Sequence, residues 1–174
     1  MDAEHVEGRV GFEAERAMYG GFLGVALLTV WIRAAWLLGF PPLESGSLLG
    51  SMLIGNLLHR DPNAQFVLGT LFHIILGTVV LALLYGEFYV RIPGGHEPWV
   101  HGVLFALVLW LIGQVVTAPL LGALAGVDVG VFSLSLGPLA TIGSLIGHLL
   151  YGLLLGSVYG HHVMPRKGYR SAAA

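Results

Sequence analysis

The chain has 174 residues, of which 56% are hydrophobic and only 10% charged, and its formal net charge is −2. A soluble domain carries about 25% charged residues, and a chain this short could not hide so much apolar surface from water, so the composition predicts an integral membrane protein. The near-neutral charge favours no nucleic-acid partner, and the absence of Cys excludes disulfides, thiolate metal sites and Cys nucleophiles.

The predicted fold is all-α, an integral membrane four-helix bundle. A membrane-spanning helix needs about 20 mainly apolar residues. Four stretches meet this requirement: residues 19–40, 65–89, 99–118 and 136–159. Together they form a predicted transmembrane domain of residues 19–160, in contact with the lipid bilayer.

The segments outside the spans are predicted separately. Residues 1–18 are polar and indicate a surface segment, and residues 161–174 form a basic tail. The apolar run at 47–58 is too short to cross a bilayer, so we expect a short interfacial or re-entrant helix between the first and second spans. The loop at 120–135 is unusually apolar and is expected to pack against protein or the membrane surface.

The positions of Lys and Arg predict the orientation. With four spans, the termini share a side with the loop between the second and third spans. Six of the eight basic residues lie on that side: Arg9, Arg16, Arg91, Arg166, Lys167 and Arg170. Cytoplasmic loops are enriched in Lys and Arg, so we expect a cell inner (cytoplasmic) membrane protein with both termini in the cytoplasm.

Small residues recur at four-residue spacing, which places them on one face of a helix. The set expected to pack helices is Gly20, Gly24, Gly69, Gly77, Ser144, Gly152, Gly156 and Gly160. Small residues let helix backbones approach closely in lipid. These faces therefore hold the bundle together or dock against a partner protein, and the alternative is that they leave room beside a His for a flat cofactor.

His73 and His148 are the candidate cofactor-binding residues, because ionisable groups inside a span are costly and indicate function. The second and fourth spans run in the same direction, and at 1.5 Å rise per residue the depths of the two His residues differ by about 5 Å or less. Two facing imidazoles could hold one haem b through its axial positions, or bind a quinone. The alternative is that each neutral ring hydrogen-bonds to a neighbouring helix.

Arg33 is a charge inside the first span, near its outer end. It is expected to snorkel towards the interface or to form an ion pair with Glu44, Asp61 or Asp128. Binding of an anion or of a quinone head group is the alternative.

Polar residues of the third span receive structural interpretations. His101 lies near the inner end and is expected to be a solvated interfacial residue, within reach of Glu87 or Arg91. Gln114 and Thr117 could hydrogen-bond to a neighbouring helix and are assigned packing roles.

Three features carry a family resemblance: the Gly-rich opening of the first span at 20–24, His73 with Gly77 in the second, and the run at 147–156 that contains His148. Together they resemble a family of small prokaryotic four-helix membrane proteins of unknown function, loosely similar to YagU-like inner-membrane proteins, over about residues 16–160. The resemblance implies the four-helix topology, and it supplies no activity and no catalytic residues.

The leading functional hypothesis is a non-catalytic membrane subunit that packs through its Gly-rich faces against other membrane-protein subunits or a second copy. A respiratory or photosynthetic electron-transfer complex is the assembly we expect. One alternative is a single-haem or quinone-binding electron-transfer protein that uses His73 and His148, and another is a small oligomeric transporter or channel. Enzyme motifs for hydrolysis, metal-dependent proteolysis and phosphate binding are lacking, so no catalytic or metal-ligating residue is predicted.

Overall fold

A computed structural model of the chain describes residues 12–41, 50, 62–93, 95 and 97–163. In these residues the secondary structure is helical and contains no strand, and four helices are long and apolar enough to cross a membrane. The predicted all-α, four-helix membrane architecture is therefore confirmed. The expected interfacial helix at 47–58 lies outside the described residues apart from Gly50, as do residues 1–11 and 164–174.

Helix α1 spans Ala14–Leu37 and so begins before the expected boundary at residue 19. Its first turn carries an ion pair between Arg16 Nε and Glu13 Oε2 at 2.7 Å, and Ala17 is fully buried. The last residues of the segment that we interpreted as a separate polar surface therefore belong to the first helix, since one face of this turn packs in the core.

Helix α2 is continuous but irregular. It consists of Pro62–Ile75, a π-helical segment Leu76–Leu81, Ala82–Phe88 and a closing 3-10 turn Tyr89–Arg91. A π-helical turn contains one extra residue and usually interrupts a helix where function or packing requires it.

Helix α3 runs further than the sequence indicated. Pro98–Ile112 continues through a π-helical segment, Gly113–Thr117, into Ala118–Ala125, where we expected a loop from residue 120. Proline lacks a backbone donor and its ring crowds the preceding turn, but the wide turn directly before Pro119 leaves room for the ring. Gly126 then ends the helix in the left-handed conformation, with φ of 72°.

Helix α4 spans Pro138–Val163 and follows a short 3-10 segment, Val131–Leu136. It packs along both α1 and α3, and α1 in turn packs against α2, so the helices lie side by side in the order α2, α1, α4, α3. Helices α2 and α3 meet mainly through aromatic side chains at one end, where the ring centroids of Tyr85 and Phe105 are 5.2 Å apart.

Glycine faces bring α4 into backbone contact with its neighbours. A Cβ added at Gly102 of α3 would lie 2.7 Å from the Cα of Gly156, and one added at Gly24 of α1 would lie 2.9 Å from the carbonyl oxygen of Tyr151. Gly152 also faces Gly102. Because these faces are buried between helices of the same chain, they are not free to dock a partner protein while the bundle is intact.

The outer surface of the bundle is covered by large apolar side chains. Val30 is 65% exposed, Leu37 78% and Val116 55%. Such a surface suits contact with lipid, and the combination of small residues inside with large apolar residues outside is typical of membrane helix bundles.

The π-helical segment of α2 is supported by α1 and α4. A Cβ on Gly77 would lie 2.5 Å from Val25 of α1, so only a glycine fits beneath that side chain. The hydroxyl of Tyr151 donates a hydrogen bond of 2.7 Å to the carbonyl oxygen of Gly77. A wide turn weakens the regular helical pairing of its carbonyls, and an unpaired carbonyl is costly in a membrane interior, so this contact stabilises the irregular turn.

We predict that Gly152→Ala destabilises the protein by about 1–3 kcal/mol, because the added methyl group would overpack the α3–α4 contact. Gly113→Ala is the matched control: nothing lies within 4 Å of a Cβ at that position. Thermal unfolding in one detergent, followed by circular dichroism, should show a lower Tm for Gly152→Ala and an unchanged or higher Tm for Gly113→Ala. Equal Tm values for the two variants would contradict the close backbone contact.

We predict that Tyr151→Phe lowers the stability by about 1–3 kcal/mol, since it leaves the buried carbonyl of Gly77 without its donor. Tyr19→Phe, at a residue that is 59% exposed, serves as the control and should unfold like the wild type. The same unfolding measurement applies. If Tyr151→Phe were as stable as the wild type, the hydrogen bond to Gly77 would not be needed for the wide turn.

Candidate functional site

A cavity of about 340 Å³ lies where α2 and α3 separate, and residues of all four helices line it. This volume is in the range of small-molecule sites. Most of the lining is apolar, for example Leu28 and Ile32 of α1. Among the described residues, the polar side chains of the lining are those of His73, Gln114, Thr117, Ser133, Ser144 and His148.

The structure brings the two predicted His residues to this one cavity. His73 reaches it from α2 and His148 from α4. Both His residues therefore lie at comparable depths in the bundle. The backbone of α1 lies between those of their helices, α2 and α4.

The ring of His148 is oriented by its own helix. Its Nδ1 lies 2.9 Å from the carbonyl oxygen of Ser144, one turn earlier. A carbonyl oxygen only accepts hydrogen bonds, so Nδ1 carries the proton and, in the neutral ring, Nε2 is left as an acceptor. No hydrogen bond joins His73 to another residue in the described part of the chain.

Gln114 is the centre of a polar network in the cavity wall. Its Oε1 accepts a hydrogen bond of 2.7 Å from the hydroxyl of Ser133, and its Nε2 donates one of 2.9 Å to the hydroxyl oxygen of Ser144. Gln114 is 5% exposed and Ser133 3%. The cross-helix bond of Gln114 agrees with the expectation from the sequence. Its place at a cavity is what sequence reasoning missed, although an amide inside an otherwise apolar span can indicate a site.

A strained connection places Ser133 against Gln114. Phe132 and Ser133 adopt the left-handed conformation, with φ of 57° and 54°, which costs a non-glycine residue about 1–2 kcal/mol. The ring of Phe132 packs on Trp110 at 5.7 Å between centroids, and the hydroxyl of Thr141 donates to the Phe132 carbonyl. These contacts hold a conformation that often occurs at functional sites.

Both π-helical segments contribute to the cavity wall. Leu76 and Leu81 come from the wide turn of α2, and Gly113, Gln114 and Thr117 from that of α3. The extra residue in each turn changes the direction of the side chains that follow. Both segments contain a Gly and several β-branched residues, which form helices poorly, but such residues are common in membrane spans and do not by themselves indicate a wide turn.

The small residues of the predicted set have different places. Ser144 lines the cavity, Gly160 faces Pro98, and Gly20 faces Leu155. Gly69 is buried in α2.

Arg33 is not part of the cavity lining. Its side chain is exposed on α1, with Cζ 5.8 Å from the ring centroid of Phe66. Of its expected partners, Glu44 and Asp61 lie outside the described residues, and the described part of the chain shows no ion pair between Arg33 and Asp128. An arginine at this position can reach the interface along the outside of the bundle.

The expectation of a solvated His101 was wrong. The residue is only 7% exposed, and its ring stacks on Tyr89 with centroids 4.8 Å apart. Its two ring nitrogens lie 3.3 Å from the carbonyl oxygens of Tyr89 and Gly95. His101 thus ties α3 to the end of α2, which closes the bundle at the end opposite the cavity.

Comparison with known proteins places the chain in a family whose activity is unknown. A family model described as a family of unknown function, DUF6789, matches residues 13–167, which is most of the chain. Searches among curated proteins and among solved structures gave no match. The expectation of an uncharacterised family is therefore confirmed, and the chain belongs to the family of unknown function DUF6789.

Proposed function

We propose that this membrane protein binds a lipophilic small molecule with a polar head group in the cavity between α2 and α3. One observation carries the proposal: apolar walls converge there with two imidazoles, His73 and His148, and the Gln114 network. Sites for small molecules combine a mostly apolar lining with a few placed polar groups. Ionisable residues inside a membrane are costly, and their presence there indicates function.

The hydrogen-bonding state of the two His residues supports a ligand over a purely structural role. The amide oxygen and nitrogen of Gln114 are both engaged, the first by Ser133 and the second by Ser144. The Nε2 of His148 keeps a free lone pair, and His73 has no hydrogen-bond partner within the described residues. A structural pair would be expected to bond to each other or to a neighbouring helix, since unpaired polar groups are costly in lipid.

The Gly-rich faces do not support the docking role that the sequence suggested, because they pack within the chain. A transporter or channel is not proposed either, since few of the described residues that line the cavity are polar and a pore needs a continuous polar path. Binding, rather than docking or conduction, is the role that the chemistry of the cavity favours.

A second candidate ligand for the same cavity is haem b, which would make the protein an electron carrier. Its support is the hydrogen bond from Nδ1 of His148 to the Ser144 carbonyl, since a metal-ligating His commonly donates its other ring N–H to such an acceptor. His73 would supply the second axial ligand, and no step of electron transfer is assigned.

We predict that Gly113→Leu removes the bound ligand. Gly113 lines the cavity, and nothing lies within 4 Å of a Cβ added there. The Cβ of a leucine therefore meets no neighbouring atom, and its side chain occupies space that the ligand would need. Protein extracted into polymer discs with its native lipid is analysed by mass spectrometry of the organic extract. Wild-type protein should carry about one equivalent of one apolar compound, and Gly113→Leu at least about tenfold less, as expected for direct steric exclusion.

Val116→Phe is the matched control, because it adds bulk one turn away on the lipid-exposed face of the same helix. It should retain the ligand. A visible spectrum of the same sample distinguishes the two candidates: a dithionite-sensitive haem band that is lost in His73→Leu and His148→Leu supports haem, and a colourless ligand supports the first proposal. Equal ligand content in Gly113→Leu and the wild type would refute binding in this cavity.

The proposed location is the cytoplasmic membrane with both termini in the cytoplasm, supported by the side that carries six of the eight basic residues. Because the chain has no Cys, Glu97→Cys and Asp128→Cys provide single labels at exposed positions on opposite ends of the bundle. In right-side-out spheroplasts, an impermeant maleimide should label Asp128→Cys alone, and after lysis it should label both. Labelling of Glu97→Cys alone in intact spheroplasts would reverse the orientation.

A further inference from the structure

The hydrogen-bond acceptors and donors of the cavity point to the chemical class of its ligand. Resting on the proposed binding function, we infer that the ligand presents a hydroxyl group to His148, so that it is a lipophilic phenol or alcohol and not a ketone or an ether. The inference follows from which ring nitrogens and side chains are already engaged.

In its neutral form, the ring of His148 can accept a hydrogen bond from a ligand but cannot donate one. Its Nδ1–H is committed to the carbonyl oxygen of Ser144 at 2.9 Å, because that oxygen cannot donate. The nitrogen left over is Nε2, which has a lone pair and no proton. A ligand that contacts this nitrogen must therefore bring its own donor.

The neighbouring side chains leave that lone pair unused. The Ser133 hydroxyl donates to Gln114, and the Gln114 amide donates to Ser144. No described residue donates a hydrogen bond to Nε2 of His148, and no hydrogen bond joins the two imidazoles. Nε2 of His148 therefore needs a hydrogen-bond donor that the described residues do not provide.

A hydroxyl group is an oxygen function that offers both a donor for His148 and an acceptor for His73. Its O–H donates to Nε2 of His148, and its oxygen accepts the N–H of the neutral His73, which faces the same cavity. A carbonyl oxygen or an ether oxygen could only accept, so it would serve His73 and leave His148 unpaired. A quinol would thus bind better than the corresponding quinone. An aliphatic alcohol of a lipid offers the same chemistry.

The test compares ligands that differ only in the donor. Wild-type protein in phosphatidylcholine nanodiscs is incubated with 4-dodecylphenol or with its methyl ether, and the retained probe is measured by mass spectrometry against empty nanodiscs, which corrects for partition into lipid. We expect a Kd for the phenol about tenfold lower than that for the ether, as for loss of one buried hydrogen bond. This comparison needs no variant.

Variants assign the preference to His148. In His148→Phe the preference should fall to about twofold or less, while the ether binds as before, which also shows that the variant is folded. His161→Phe, at an exposed residue near the end of α4, should keep the tenfold preference. A preference that persists in His148→Phe would overturn the role of His148.

The remaining outcomes separate the inference from the function on which it rests. Equal affinities of phenol and ether for the wild type would overturn the hydroxyl inference and leave the binding function standing. Retention of neither probe above empty nanodiscs would refute the binding function itself. A third probe, 1-dodecanol, distinguishes the sources: binding weaker than that of the phenol supports a quinol, and comparable binding supports an aliphatic alcohol.

Discussion

The close backbone contact of α4 with α3 and α1 is the constraint on which the rest of the structure depends. Lipid gives no hydrophobic force between helices, so association relies on packing at short distance. Gly152 and Gly156 meet Gly102 on one side, and Tyr151 meets Gly24 on the other. With α4 held between these two helices, α2 packs its backbone mainly on α1. It meets α4 and α3 chiefly through side chains such as Tyr151 and Phe105.

The two ends of the gap between α2 and α3 are therefore different. At one end, Tyr85, Phe105 and the stacked pair Tyr89 and His101 close it with aromatic rings. At the other end it widens into the cavity. The π-helical turns within the described residues occur in α2 and α3, the helices on either side of this gap. Irregular backbone inside a membrane survives only where protein groups satisfy it, as Tyr151 does for Gly77.

Part of the candidate site could be predicted from the sequence. The similar depths expected for His73 and His148 follow from helix rise and span direction, since both are local properties of the chain. The burial of His101 could not be predicted, because it depends on Tyr89 and on the loop carbonyl of Gly95. The central position of Gln114 depends on Ser133, whose left-handed backbone leaves no trace in the residue pattern.

The lipid surroundings, the all-α fold class and the number of membrane-spanning helices follow from the sequence alone. Hydropathy and helix length are local properties that can be read along the chain. Which face of each helix meets which neighbour was decided only in the tertiary structure. The Gly stripe of α4 predicts a close contact equally well for a partner protein and for α3, and only the folded chain assigns it to Gly102. Contact with a residue far away in the sequence depends on the summed packing of all four helices, which no local pattern contains.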